Sequence, residues 1–412
     1  MMFASKEIVT GLDIGTSQVT AIVAEVGPSD MPNIIGIGQA KSRGVRKGEI
    51  VDADSATEDV RLALTEAEHM ADEEVRSVYL GVSGGHVQGF INRGIHPVVS
   101  AERDITEEDV RDVVRNAKAV NLPNDHHVIH LVRQHFSIDG QSGIQNPIGL
   151  LGAKIEVDLH VIHGQVNRLQ NSIRVVKNLR VDVEDVVFSG LAGVLAVLSS
   201  QQKELGTLVL DFGGGTIEYA VCCNGLIKHT GVLPVGGDHI SNDLAYGFKV
   251  PLGEAEQLKI NYGSALGGDS FRGQTIKVPD RMGMPDKTIN MEHFGRIMSL
   301  RVSESLKLVE AKLMEAGCLD LVRSGVVISG GGARITDILG LAEHVFGVPA
   351  SVGVVRNVNG PKIVLEQPEF AVGIGLTKFG VFELLKQRDR KANGPRFGCA
   401  IRQLLKIART SG

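Results

Sequence analysis

No run of apolar residues in this sequence reaches the roughly 20 needed to span a bilayer as a helix. No basic segment followed by an apolar core precedes the first strand-like stretch, Ile8-Val9-Thr10-Gly11-Leu12, so no secretory leader is expected. Positive charge is not in excess. The 43 Lys and Arg against 48 Asp and Glu leave a net charge of −5, which argues against general nucleic-acid binding. Cysteine is scarce, and Cys222, Cys223, Cys318 and Cys399 show no metal-ligand spacing. They read as buried thiols of a reducing cytoplasm, with Cys222 and Cys223 on opposite faces of a strand. His126, His127 and His130 cluster without a Cys or carboxylate at ligand spacing, so no zinc site is expected.

What is present is an ordinary soluble balance, 43% apolar and 22% charged, over 412 residues. That length is too great for one core and fits two large lobes, each subdivided. The first lobe opens with strands near 7–14, 17–26 and 33–41. A helix follows at about 54–72, capped by Asp54 or Ser55, and then a strand from Val75 to Val82. Residues 84–165 interrupt the pattern with alternating strand stretches and a helix near 106–118 capped by Thr106, which reads as an inserted α+β subdomain. A helix near 165–178, a strand at 182–187 and a small-residue helix from Ser189 to Ser200 resume the first lobe. The opening strand triplet then recurs at 207–211, 216–222 and 226–233, the echo expected of an internally duplicated fold. Beyond it come helices near 236–246 and 252–261, a polar glycine-rich excursion around 263–288, and a helix from about 290 to 316 stopped by Gly317. The strand Val326 to Ser329 and a helix from about Arg334 to Phe346 follow.

Three glycine-rich segments carry the chemistry: Leu12-Asp13-Ile14-Gly15-Thr16-Ser17, Leu210-Asp211-Phe212-Gly213-Gly214-Gly215-Thr216 and Ser329-Gly330-Gly331-Gly332-Ala333-Arg334. The first two each join two apolar β-branched runs, so each reads as strand, tight turn, strand. Glycine lets a turn backbone approach a phosphate closely with its N–H groups pointing at the anion. Two such hairpins face to face would clamp a polyphosphate, with Asp13 and Asp211 directed at a hydrated Mg²⁺. Neither turn fits the G-x-x-x-x-G-K-[ST] phosphate loop or a G-x-G-x-x-G turn opening a helix, which removes the commonest alternative nucleotide folds.

The order of these segments resembles the actin-like ATPase superfamily. The resemblance narrows to the FtsA family of bacterial cell-division proteins through Asn33–Gly38, Val45–Asp52, Ile138–Gln141 with Asn146–Leu150, and Gly236–Asp243. It implies an α/β, actin-like, duplicated two-lobe fold with an inserted subdomain in the first lobe. The first-lobe core would be 1–83, 166–205 and 361–385, with the insert at 84–165. The second-lobe core would be 206–235 and 305–360, with its subdomain at 236–304. It also implies that the helices at 189–200 and around 371–376 cross between lobes at a hinge, and that the insert contacts neighbouring subunits. By the same resemblance, Gly15, Thr16, Ser17, Gly213, Gly214, Gly215 and Thr216 serve the phosphates of ATP. Gly331 and Gly332 lie against the adenosine, and Arg334 stacks on adenine. Glu256 and Lys259, spaced to share a helix face, would contact the ribose, although a solvated helical ion pair has the same spacing. Phosphoryl transfer to water needs an oriented water or a base. The stretch Gly190–Leu195, where such a residue is sought, offers no Gln, Glu, Asp or His. A slow or negligible ATPase is therefore expected, with no catalytic residue assigned.

After Leu385 a polar basic linker, 386–395, precedes an amphipathic segment, 396–412. At about 100° per residue, Phe397, Ile401, Leu404, Leu405 and Ala408 share one face and Arg402, Lys406 and Arg409 the other. This reads as a helix lying in a membrane interface, favouring anionic lipid, although docking on the protein itself or on a partner would need the same pattern. The resemblance implies a peripheral protein on the cytoplasmic face of the inner membrane at midcell. It would polymerise with itself, recruit other division proteins and bind the C-terminal peptide of the tubulin-like FtsZ, with Arg301 at that contact. Two rival readings are a PilM-type pilus-assembly adaptor and a sugar-kinase-like phosphotransferase.

Overall fold

A computed structural model of the chain describes residues 7–27, 30–98, 103–267, 271–278 and 287–393. The amphipathic segment 396–412, and with it Phe397 through Arg409, lies outside the described residues. The first lobe begins with β1 (Glu7–Ile14), β2 (Gln18–Val26) and β3 (Pro32–Lys41), a small hairpin of β4 (Val45–Arg46) and β5 (Glu49–Ile50), helix α1 (Ala53–Ala71) and strand β6 (Ser77–Val82). Helix α1 lies directly on β3 because the strand presents glycine beneath it: a Cβ on Gly38 would fall 1.8 Å from the Ala63 carbonyl oxygen. Its N-cap is Asp52, not Asp54 or Ser55, since only the Asp52 carboxylate accepts from the N–H groups of Asp54 and Ser55.

The insert comprises β7 (Gln88–Pro97), α2 (Glu107–Lys118), β8 (His126–Ile138), β9 (Gln141–Ile144) and β10 (Lys154–Gln165). Its strands form an antiparallel sheet in the order β7-β10-β8-β9, with α2 against β7 and β10. Thr106 caps α2 in a reciprocal box with Asp109. Arg103 grips the same carboxylate at 2.8 and 2.9 Å and holds it far below the usual carboxylate range.

The first lobe resumes with α3 (Val166–Lys177), β11 (Asp182–Phe188), α4 (Ser189–Val197) and α5 (Ser200–Leu205). The helix expected to run to Ser200 breaks at Leu198. Extended backbone there lets Ser199 and Gln202 form a capping box that starts α5.

The second lobe holds β12 (Thr207–Phe212), β13 (Ile217–Cys223), β14 (Leu226–Leu233), α6 (Gly237–Phe248), α7 (Leu252–Tyr262), β15 (Thr275–Val278), β16 (Lys287–Asn290), α8 (Met291–Glu315), β17 (Gly325–Ser329), α9 (Ile338–Phe346) and β18 (Ala350–Val352). The excursion at 263–288 contains the β15–β16 pairing, which polar composition hid. The third glycine segment forms a tight 3-10 turn, Gly331–Arg334, rather than the start of a long helix, and α9 begins four residues later. Two further helices, α10 (Lys362–Leu365) and α11 (Ala371–Asn393), complete the described chain. Residues 386–393, read as linker, continue α11 without a break.

The two main sheets share one topology. In the first, β3-β2-β1-β6-β11, the outer pairs β3/β2 and β2/β1 are antiparallel and β1/β6 and β6/β11 parallel. In the second, β14-β13-β12-β17-β18, the same sequence of pairings recurs. Helices α4 and α11 cross between them at backbone contact distance: a Cβ on Gly375 would lie 1.9 Å from the Ala192 carbonyl oxygen. Leu191, Val194, Val372 and Leu376 seal this crossing together with Val87, Val132 and Ile162 from the insert and Val209 from the second lobe.

Candidate functional site

The two aspartate-bearing turns close by the same bond. Gly15 N–H donates to the Gln18 carbonyl at 3.0 Å, and Gly213 N–H to the Thr216 carbonyl at 2.9 Å. In the hairpin registers Asp13 faces Thr20 and Asp211 faces Glu218. The tips meet between the lobes. A Cβ on Gly214 would fall 1.9 Å from Ser17 Oγ, and one on Gly215 would fall 2.5 Å from Thr16 Oγ1. Thr16 Oγ1 also accepts from Gly48 N–H at 2.9 Å. Helix α6 is moored to the second turn by its first amides, Gly237 N–H to the Gly213 carbonyl at 3.0 Å and Asp238 N–H to the Gly214 carbonyl at 2.7 Å. Behind Asp211 stands Gly330, at φ +78, where a Cβ would collide with Asp211 Oδ1 at 2.5 Å.

These elements enclose a cavity of about 390 Å³, within the usual range for small-molecule sites. Asp13, Gly15, Thr16, Ser17, Asp211, Gly213, Gly214, Thr216, Glu256, Lys259, Gly331, Gly332 and Arg334 all line it, whereas Gly215 packs on Thr16 outside the lining. Lys259 donates to Glu256 at 2.6 Å and to the Gly237 carbonyl at 3.1 Å, and Ser241 also donates to Glu256, at 2.5 Å. The Glu256–Lys259 pair is thus part of the cavity wall, not a free surface pair. Arg334 lies at the rim in a forked ion pair with Glu369 of the first lobe, at 2.7 to 3.1 Å, so its guanidinium already has a partner.

Glu218 is the residue that sequence reasoning missed. It lies buried beside Asp211, lines the cavity and accepts a hydrogen bond from Ser83 of the first lobe. The signal was legible: once Asp211 starts a hairpin closed by Gly213 and Thr216, residue 218 falls directly across from it. Like charges in that position destabilise a sheet unless something positive intervenes. Burial, then Asp211, pushes the Asp13 carboxyl up to about 7. Burial raises Asp211 likewise, and burial together with Asp211 raises Glu218 well above its ordinary value. The buried Ser189 hydroxyl adjoins Asp13 and eases its charge by proximity, but makes no hydrogen bond of proper geometry. The three carboxyl groups of Asp13, Asp211 and Glu218 are thus gathered under the paired glycine turns, in one wall of the cavity. Among the described residues no three His, Cys, Asp or Glu side chains converge closely enough to ligate a metal directly.

A sequence profile described as "Cell division protein FtsA" matches residues 208–375, and one described as "SHS2 domain inserted in FTSA" matches residues 84–163. Cell division protein FtsA of Pseudomonas aeruginosa is 35% identical over 385 residues, covering 93% of this chain and 91% of that protein. The Escherichia coli K12 protein of the same name is 35% identical over 382 residues, covering 91% and 90%. The chain belongs to the FtsA family of cell-division proteins. Solved structures of lower identity share its fold. The PilM–PilN type IV pilus biogenesis complex aligns with TM-score 0.64 at 16% identity, over 90% of this chain and 98% of that one. MreB5 of Spiroplasma citri bound to ADP aligns with TM-score 0.53 at 16% identity, over 94% and 99%. The fold of this FtsA-family chain is therefore actin-like.

Elsewhere in this FtsA-family chain, Arg301 on α8 is committed internally. Its guanidinium makes two bonds to Asp243 of α6, at 2.5 and 3.0 Å, and one to Glu304 at 2.5 Å. His126 is bonded to His163 at 2.8 Å, and His130 accepts from Phe188 N–H at 3.0 Å. No described helix is long and apolar enough to cross a membrane.

Proposed function

We propose that this chain binds Mg-ATP between its lobes, assembles with copies of itself beneath the inner membrane, and tethers the FtsZ ring there through its C-terminal segment. The observation that carries the reading is the cleft: twin glycine turns in contact at their tips, with Asp13, Asp211 and Glu218 beneath them. Asp13 and Asp211 would hold the hydrated Mg²⁺, the turns the phosphates, Glu256 and Lys259 the ribose, and Gly331 and Gly332 the adenosine. When bound, the ion supplies the positive charge that the three carboxyl groups lack. Glu218 is engaged with Ser83, which suits slow turnover and a mainly structural nucleotide.

Membership of the FtsA family favours this role over a pilus adaptor, since the likeness to PilM is one of fold. It supports attachment through the segment 396–412 at the cytoplasmic face of the membrane. It also supports docking of the FtsZ C-terminal peptide near Arg301, and recruitment of other division proteins. A single such helix binds lipid marginally, so display of many tails on a polymer would raise avidity. Calorimetry tests the cleft: Asp211→Ala should lose most Mg-ATP affinity, and wild-type affinity in that variant would reject the assignment. Sedimentation with anionic liposomes tests the anchor, because removal of residues 396–412 should abolish it while leaving nucleotide binding intact. Fast, substrate-stimulated ATP turnover would instead favour the phosphotransferase.

A further inference from the structure

The inserted subdomain leaves the first lobe at Ser83–Gly84 and returns at Gln165, and both roots are held by groups tied to the turns of the cleft. On the outgoing root, Ser83 lines the cavity and donates to Glu218. Its neighbour Gly84 has φ +110, a conformation open to glycine, and a Cβ there would lie 3.0 Å from Glu49 Cγ. The β4–β5 hairpin sits between root and cleft. Gly48 N–H donates to Thr16 Oγ1 at the first turn, while a Cβ on Gly48 would fall 2.8 Å from Gly84 N. The next residue, Glu49, is ion-paired with Arg168 in the first turn of α3, just past the return root. The two roots also bond to each other, Gln165 N–H donating to His86 Nδ1 at 3.2 Å.

Around this junction Glu49, His86, His126, Gln165 and Arg168 line a second, polar cavity of about 250 Å³. The roots therefore meet around open polar space and not a close-packed core, which leaves room for a shift. On its other side the insert rests on β14 of the second lobe. Gln134 Nε2 donates to the Ile227 carbonyl at 2.8 Å, Lys228 Nζ donates to Gln134 Oε1 at 3.0 Å, and His160 Nε2 is 2.8 Å from Thr230 Oγ1. A body fastened to both lobes cannot keep every contact when the lobes rotate about the hinge.

We propose that the inserted subdomain is a lever set by the cleft: a change at the Thr16 or Glu218 turn is passed through Gly48–Glu49 and Ser83–Gly84 to both roots and tilts the insert. This rests on the reading of the cleft as a nucleotide site. The coupling runs through contiguous contacts with an identifiable pivot, and it must be reciprocal, so a partner that clamps the insert alters nucleotide affinity by the factor that nucleotide alters the partner's.

The test uses the full chain with Cys318 and Cys399 replaced by serine and spin labels at Gln141→Cys, at the tip of the insert, and Thr65→Cys, on α1, both exposed. Label separation is measured by pulsed electron resonance without nucleotide, with Mg-ADP and with a non-hydrolysable Mg-ATP analogue. Calorimetry on the same samples reports binding. The expected result is a separation that changes with nucleotide. Arg168→Glu should abolish the change while binding persists, and adding Glu49→Lys should restore it. Arg168→Gln, which removes the ion pair without reversing charge, should abolish it as well. Binding with an unmoved separation, or a change that survives in both Arg168 variants, overturns the lever alone. Absence of binding in the calorimeter overturns the cleft reading and the lever with it.

Discussion

Replacing Asp13 by asparagine in the nucleotide-free protein should change how stability depends on pH. The Asp13 carboxyl is pushed from its ordinary 3.8 to about 7 by burial and then by Asp211. Protein atoms surround it densely, yet its exposed area is not nil, because it forms part of the cavity floor. Water entering the cavity screens the group, so the raised pKa costs at most about 4 kcal/mol. The sign follows from proton counts. The unfolded chain releases this proton near pH 4 and the folded chain near pH 7, so between them the folded state holds more protons and loses stability as pH rises. The cost is absent below that window and complete above it. Buried His130 and His160, which burial pushes down to about 4 and about 3, slope the opposite way, but equally in both proteins. The difference between Asp13→Asn and wild type should therefore grow in favour of the variant by up to about 4 kcal/mol between about pH 4 and pH 8. Urea midpoints in a chelator at both ends of that range measure it. Saturating Mg-ATP should reverse the ranking at the higher pH, because ligand stabilisation is lost with the carboxylate. Identical pH dependence in the two proteins would refute the account of the cleft floor.

Neighbouring glycines of the third segment should behave differently. A Cβ at Gly332 would fall 2.3 Å from the Phe212 ring, so Gly332→Ala should destabilise the fold by about 1–3 kcal/mol. Gly331 lines the cavity and a Cβ there meets nothing within 4 Å, so Gly331→Ala should keep its urea midpoint and lose ATP affinity; retained affinity would remove this segment from the adenosine site. On α8, Arg301 gives Nε and Nη2 to Asp243, so releasing that carboxylate's hold frees those donors for an acidic peptide. Asp243→Asn should tighten binding of an FtsZ C-terminal peptide in fluorescence anisotropy and Arg301→Ala weaken it, whereas no effect of either would exclude Arg301 from the contact.

The amino-acid sequence alone determined the parts of this protein that are local. Alternating β-branched runs and glycine turns marked both strand triplets, because strand periodicity and turn geometry need only nearby residues. Thr106 announced α2 for the same reason. Residues Asp13 and Asp211 were legible because each sits at the end of a strand entering a glycine turn. Only the tertiary structure decided which partner each charged group finds across the molecule: Glu218 with the Ser83 hydroxyl, Arg334 with Glu369, Arg301 with Asp243 and Glu49 with Arg168. The members of the first three pairs lie 35 to 135 residues apart, and no pattern in the intervening chain specifies them. They arise because the two sheets and the insert pack around the crossing of α4 and α11. That packing is a sum of many weak apolar contacts, of which no short stretch of sequence carries a sign.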